Sequence, residues 1–328
     1  MAKPKRTLSQ ALASTYSRKG IVLVLGAGVS LASGIPAWDP LLDELADHRR
    51  ARAMVNTLRA RGFSLSVIAS ALEDLYGGRE EFVSHLRRTL YRRTPLGDIT
   101  LTRPTSKVLV DQVKKNNATL RAVGAMCART LPSGVVPNPQ VRCVVSFNLD
   151  TLLEAFTHAR YGAPLLRPIH HAAISTTPTL TSVYHIHGYL PMSREPAERV
   201  VLTETDYFDV FAEPFGAFTY TFLYFLREFS CVFVGLSMRD DNLRRLLYYS
   251  VRERLASMEA AHFGGRRDAR VKRHFAILRR DTNDTDFVIE RGLARLGVQT
   301  IFLNDYDEIA DHLGFVYEAG GDKWGDVF

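Results

Sequence analysis

The chain has 328 residues, 42 Lys and Arg against 35 Asp and Glu, a net charge of +7 and 46% hydrophobic residues. That balance belongs to a globular protein with chain enough for one large or two modest domains, and it excludes a disordered one. No uncharged apolar run approaches the roughly 18 residues that span a bilayer, the basic start MAKPKRTLSQALAS has no apolar signal segment, and Cys127, Cys143 and Cys231 form no CxxC pair. Membrane insertion, secretion, a disulfide framework and a cysteine zinc site are therefore set aside, and a reducing cytoplasm is the expected compartment.

The predicted elements alternate along the chain. A continuous apolar run at 21–25 (IVLVL) reads as a strand buried on both faces, because a half-exposed strand would alternate polar and apolar residues. From 39 to 140 the pattern changes. Helical segments are predicted at 40–50, 53–61, 65–76 and 80–92, with two more between 106 and 131, and no strand. Such a stretch is too long for a simple crossover, so 39–140 is expected to be a helical subdomain inserted into a domain made of 1–38 and 141–328. Strand patterns return at 141–147 (VRCVVSF), 183–187 (VYHIH), 230–235 (SCVFVG), 274–278 (HFAIL) and 298–303 (VQTIFL). Helical patterns lie between or after them at 149–160, 213–228, 240–255, 284–296 and 306–315, while 161–182, with three prolines, reads as a loop. This alternation predicts an α/β fold with a doubly wound parallel sheet of about six strands. Ligands bind at the carboxyl edge of such sheets. Arg-dense stretches at 49–52, 87–93 and 266–273 read as solvated helix faces and loops, and direct nucleic-acid binding is not expected.

Four strand ends carry the chemistry. After the first, Gly26, Ala27 and Gly28 are followed by Ser30; glycines let a backbone approach a pyrophosphate, and the N–H groups of the turn point at it. The sixth position of GxGxxG is Leu31, so the full dinucleotide fingerprint is missing, and a tight βα connection is the plain alternative. After the second strand, SFNLD places Asn148 and Asp150 where they can bond ribose hydroxyls or an amide, although Asp150 also suits a helix cap. At the third, His185 and His187 share one side of a strand that stays extended, and Gly188 permits a turn beside the second ring. A histidine titrating near neutrality is a natural general base. A metal site from His185, His187 and His170 or His171 lacks a carboxylate at motif spacing and is not expected. At the fourth, Gly235 and Ser237 could meet an adenosine moiety, with Asp240 or Asp241 capping the next helix.

In order, GAGVS with GIP, Asn-x-Asp, His-Gly and Gly-x-Ser resemble the landmarks of the sirtuin fold. The wording SFNLD, HIHGYL and FVGLSMRDDNLRRLL looks most like the bacterial sirtuin-like branch that destroys NAD in phage defence. The resemblance covers 21–36 and 141–245. It implies a Rossmann-like sheet, NAD+ as substrate, no metal, and cleavage to nicotinamide and ADP-ribose. By that resemblance the pyrophosphate lies over Gly26, Ala27, Gly28 and Ser30, and the adenosine ribose near Gly235 and Ser237. Asp150 and the Leu149 backbone hold the nicotinamide carboxamide, while Ile35, Pro36 and Trp38 shape that end of the pocket. Asn148 orients water or ribose hydroxyls, and His187, adjoining Gly188 as in the family's His-Gly, is the base.

The departures favour NAD cleavage without an acyl acceptor. Protein-deacylating sirtuins carry a four-cysteine zinc ribbon, follow GIP with Asp-Phe-Arg where this chain has Ala37, Trp38 and Asp39, and place Gln at the position of Phe147. NAD-dependent protein deacylation is thus one rival reading; the other is a regulatory subunit that binds NAD or ADP-ribose without turnover. A free NADase would kill its own cell, so the resemblance implies a toxic abortive-infection effector under control. Homo-oligomerisation or an operon-encoded partner is expected, of the HerA-like ATPase, Argonaute or nucleotide-sensing kinds seen in related systems.

Overall fold

The computed structural model describes residues 4–94, 107–172, 174–192, 197, 199–212, 216–260 and 273–328. After helix α1 (Pro4–Lys19) and strand β1 (Ile21–Leu25), helices α2 (Trp38–Leu45), α3 (Arg49–Ala60), α4 (Leu65–Leu75), α5 (Arg79–Tyr91), α6 (Lys107–Asn116) and α7 (Ala118–Met126) follow one another. Strands β2 (Ala128–Leu131) and β3 (Gly134–Pro137) pair as an antiparallel hairpin of their own. The chain then alternates through β4 (Val141–Ser146), α8 (Leu152–Tyr161), β5 (Leu166–Ile169), β6 (Thr181–His185), α9 (Glu204–Ala212), α10 (Ala217–Glu228), β7 (Ser230–Val234), α11 (Asp241–Ala260), β8 (His274–Arg279), α12 (Asn283–Arg295), β9 (Val298–Leu303) and α13 (Glu308–Glu318). Seven of the strands form one parallel sheet in the order β5-β6-β4-β1-β7-β8-β9.

A strand sends successive side chains to opposite faces, and here both faces are cores. Ile21, Leu23 and Leu25 of β1 pack with Leu42, Phe82, Leu120, Leu152 and Leu313 on one side. Val22 and Val24 pack with Phe222, Leu226, Leu243, Leu247 and Leu293 on the other. This explains why the β1 run is unbroken by polar residues: there is no solvent face for one to occupy. Helices α2 to α8 share the first core with the sheet. On α10 the phenylalanines turn inward, with Phe218, Phe222 and Phe225 buried, while Tyr220 and Tyr224 remain more than half exposed.

Three expectations need correction. The sheet has seven strands, the extra one being β5 inside the stretch expected to be a loop. Its Pro168 cannot donate a ladder hydrogen bond, which an edge position tolerates, and β5 is an edge strand. The interval 39–140 is not purely helical, since it contains the β2–β3 hairpin. Helix α9 was not anticipated, yet its start carries a capping box: the Thr203 amide donates to Asp206 Oδ2 at 2.8 Å and the Asp206 amide to Thr203 Oγ1 at 3.4 Å. Of the Arg-dense stretches, 49–52 opens α3 and 87–93 closes α5, where Arg92 and Arg93 pair with Glu44. The third, 266–273, lies outside the described residues except for Arg273.

Candidate functional site

Strand order reverses at β1: β4, β6 and β5 lie outward from it on one side, and the later strands β7, β8 and β9 lie on the other. A crevice opens at such a switch point, beyond the carboxyl ends of the strands. Here the turn after β1 and the turn after β7 meet backbone to backbone. The Gly26 amide donates to the Val234 carbonyl at 3.1 Å and the Gly28 amide to that of Gly235 at 2.9 Å. A β-carbon on Gly28 would lie 2.7 Å from the Gly235 Cα, and Gly235 itself sits at φ +68°. The glycines are thus required by the crossing of two turns. With the Val29 and Ser30 amides closing a 3₁₀ turn, Ala27 holds the amide of this segment that has no protein acceptor among the described residues. We expect Gly28→Ala to destabilise the fold by roughly 1–3 kcal/mol through overpacking; an unchanged denaturation midpoint would contradict the contact.

The turn after β4 locks onto that of β1 through side chains. Asn148 Nδ2 donates to the Gly26 carbonyl at 3.1 Å and faces Ser30 Oγ at 3.4 Å. Ser30 Oγ donates to Asp150 Oδ1 at 3.0 Å, which also accepts the Leu152 amide at 3.1 Å. Burial drives the Asp150 carboxyl up to about 6, against these two stabilising bonds. Asn117, buried at the junction of α6 and α7, donates to the Val29 carbonyl at 2.9 Å and Ser33 Oγ at 2.8 Å, so the helical region grips the same turn from outside.

The two histidines part company. Strand β6 ends at His185, and the chain then bends, with Gly188 at φ +115° and its amide donating to the His185 carbonyl at 3.3 Å. The expectation that both rings share one side of an extended strand is therefore corrected: His187 lies beyond the strand. Its ring stands edge-on to Phe147, 4.7 Å between centroids, and to Tyr207 of α9 at 5.9 Å. Its Nε2 is buried and has no hydrogen-bond partner among the described residues. Burial holds its pKa below the ordinary 6.5, with Arg199 acting the same way and Asp240 opposing. His187 is consequently a neutral imidazole at neutral pH. His185, by contrast, is fully paired: Nε2 lies 2.7 Å from Glu154 Oε1 and Nδ1 3.4 Å from the Asn148 carbonyl.

Of the residues singled out by sequence, Gly26, Gly28, Ser30, Asn148, Asp150 and Gly235 come together at one sheet edge. Ala27 lies on the same turn, while Ser237 is exposed. Ile35 is buried in the core, with Pro36 half-buried beside it. Trp38 opens α2 with its ring 6.0 Å from that of Tyr207 and its Nε1 buried without a hydrogen-bond partner among the described residues. The Leu149 carbonyl accepts the Leu190 amide at 2.9 Å. Sequence reasoning passed over Tyr207, whose hydroxyl donates to Asp240 Oδ2 at 3.4 Å, and Glu154. The cysteines are free and buried. Among the described residues no group of three or more His, Cys, Asp or Glu side chains is placed to hold a metal ion, and no helix is long and apolar enough to cross a membrane.

No curated protein matches the chain. Residues 142–301 match the family model of the SIR2-like domain, a span that runs from β4 to β9 and takes in Asn148, Asp150, His187 and Gly235. Residues 142–301 are thus similar to a SIR2-like domain, while the turn after β1 with Gly26, Gly28 and Ser30 lies outside the matched span.

Proposed function

We propose that the chain hydrolyses the N-glycosidic bond of NAD+, releasing nicotinamide and ADP-ribose, as the toxic effector of an antiphage abortive-infection system. The observation that carries this reading is the neutral, unpartnered His187 Nε2 at the same sheet edge as Asn148 and Asp150. In the proposed step the C1′–N bond of the nicotinamide ribose breaks and its electron pair leaves with nicotinamide, which departs neutral. Water bonds to C1′ and gives its proton to His187 Nε2. Asn148 orients that water or the ribose hydroxyls, and Asp150 accepts from the carboxamide. Held donors and acceptors of this kind lower the barrier by positioning and by stabilising the oxocarbenium charge. Mass spectrometry of products formed with and without an acyl-lysine peptide tests it. Free ADP-ribose in both cases is expected; peptide-dependent acyl transfer would favour a deacylase.

The reading includes control, with 39–140 as an inserted regulatory subdomain, homo-oligomerisation and an operon-encoded partner, whether an ATPase, an Argonaute-type protein or a nucleotide-sensing enzyme. Its support is that His187 Nε2 is buried and the His187 ring stands edge-on to that of Tyr207. The segment bearing Tyr207 is tied to the helical region by Arg79 of α5. Its guanidinium meets both carboxylate oxygens of Asp206 at 3.0 and 2.9 Å, Glu73 Oε2 at 3.0 Å, and the Val200 carbonyl. Paired, bidentate contacts of this kind hold geometry. Arg79→Ala is expected to raise nicotinamide release by the chain alone several-fold; release no faster than wild type would contradict such a latch.

A further inference from the structure

Under Asn148 lies a second set of polar groups that the proposed chemistry does not use. Glu154, in the first turn of α8, places Oε1 2.7 Å from His185 Nε2. The other nitrogen of that ring, Nδ1, faces the Asn148 carbonyl at 3.4 Å, and Ser146 Oγ donates to the same carbonyl at 3.3 Å. His185 is 1% exposed and the Glu154 side chain 11%. A neutral imidazole has one donor and one acceptor nitrogen, so beside an ionised Glu154 it would turn a lone pair toward either the carboxylate or the carbonyl. Only the imidazolium donates to both.

We propose that Glu154 is a positioning residue: by holding His185 as a two-headed donor it fixes the Asn148 carbonyl, and with it the side-chain amide that reaches the Gly26 carbonyl and Ser30. The chain of contacts runs Glu154, His185, Asn148, Ser30, Asp150, and it joins α8 and β6 to the turns after β4 and β1. Neither Glu154 nor His185 touches substrate in this account. The inference rests on the proposed reading of Asn148, which it deepens.

Burial disfavours the charged His185, but Glu154, the Asn148 carbonyl and Asp150 outweigh it, and the pKa rises above the ordinary 6.5. The other titratable groups facing the pair are Tyr91 of α5, Cys127 after α7, and Tyr189 after β6, whose ring stands 5.1 Å from that of His185 and stacks on His170. Burial pushes the Tyr91 hydroxyl and the Cys127 thiol upward, so both stay neutral where His185 titrates. As pH rises through the raised pKa, His185 loses one of its two donors and Asn148 its anchor. Activity therefore falls on the alkaline side.

The test is Glu154→Gln in the full chain. It is expected to lower kcat about ten- to a hundredfold, since a misplaced catalytic group costs that much, with KM for NAD+ changed less than about threefold. The alkaline limb should move to lower pH. The His185 imidazole resonances, assigned by their loss in His185→Gln, should titrate at correspondingly lower pH in Glu154→Gln. His185→Gln, always neutral, should lose the limb altogether, which serves as the check if Glu154→Gln folds poorly. A merely structural pair would reduce stability while leaving kcat and the limb of the folded enzyme unchanged, and that result overturns the proposal. If wild type releases no nicotinamide under any condition, the reading of the reaction fails. The pair is then decided by NMR alone: His185 titration and the Asn148 side-chain amide shift moving in Glu154→Gln support it, and neither moving overturns it.

Discussion

Replacing His187 with alanine is expected to abolish nicotinamide release while leaving the fold intact. A positioned general base contributes on the order of 10²–10⁴ in rate, so residual turnover should sit near the floor of the assay. The fold should survive because His187 Nε2 makes no hydrogen bond among the described residues that the substitution would break. Burial lowers the pKa of this group, so its protonation, and with it the acid limb of the activity profile, falls below pH 6.5. Asn148→Ala should be equally inactive for a different reason. It removes the amide that joins the β4 turn to the Gly26 carbonyl and Ser30. Full turnover by either purified variant would remove that residue from the mechanism.

Asp150→Asn is expected to act in opposite directions on stability and on activity. The Asp150 carboxyl is moved from 3.8 to about 6, chiefly by burial, which corresponds to roughly 3 kcal/mol held against the folded state once the group is ionised. The sign follows from which state keeps its proton longer. Well below pH 3.8 both folded and unfolded chains are protonated, and the burial penalty is absent. As pH rises from 3.8 to about 6 the unfolded chain releases its proton first, and stability falls. Above that window the full cost is carried. Asparagine retains an Oδ1 to accept from Ser30 and Leu152 but cannot ionise, so the variant should be more stable than wild type at pH 7.5 and lose that advantage near pH 4. On the proposed mechanism turnover should fall, because the carboxylate assigned to accept from the carboxamide is gone. Denaturant titrations at the two pH values measure the first effect. A variant less stable than wild type at pH 7.5 would show that the carboxylate is needed by the fold instead of by the chemistry.

The sheet was legible in the sequence because its strands are buried on both faces, and an unbroken apolar run such as IVLVL has few other readings. β5 was not legible: it is four residues long, contains Pro168, and exists because β6 offers it an edge to pair with. α9 hid behind aromatic residues with no clear period, although Thr203 and Asp206 spelled its cap. The ends of β1, β4, β6 and β7 pointed to one edge, yet the partners that define each group's state come from far along the chain. Asn117 meets Val29 across 88 residues, and Glu154 meets His185 across 31. No local spacing encodes such pairs. The same holds for His185 and His187, alike in sequence and opposite in condition. A carboxylate raises the pKa of one, and burial among aromatic rings lowers that of the other, because the strand ends between them.

The central claim is that this sheet edge cleaves NAD+. Its most direct test is nicotinamide release from NAD+ by the purified chain, alone and with the proteins encoded beside it, next to His187→Ala. Release that rises when the right partner is present and vanishes in the variant is the predicted result. NAD+ that binds and raises the melting temperature, yet is never cleaved in any mixture, would contradict the claim and leave a nucleotide-binding subunit in its place.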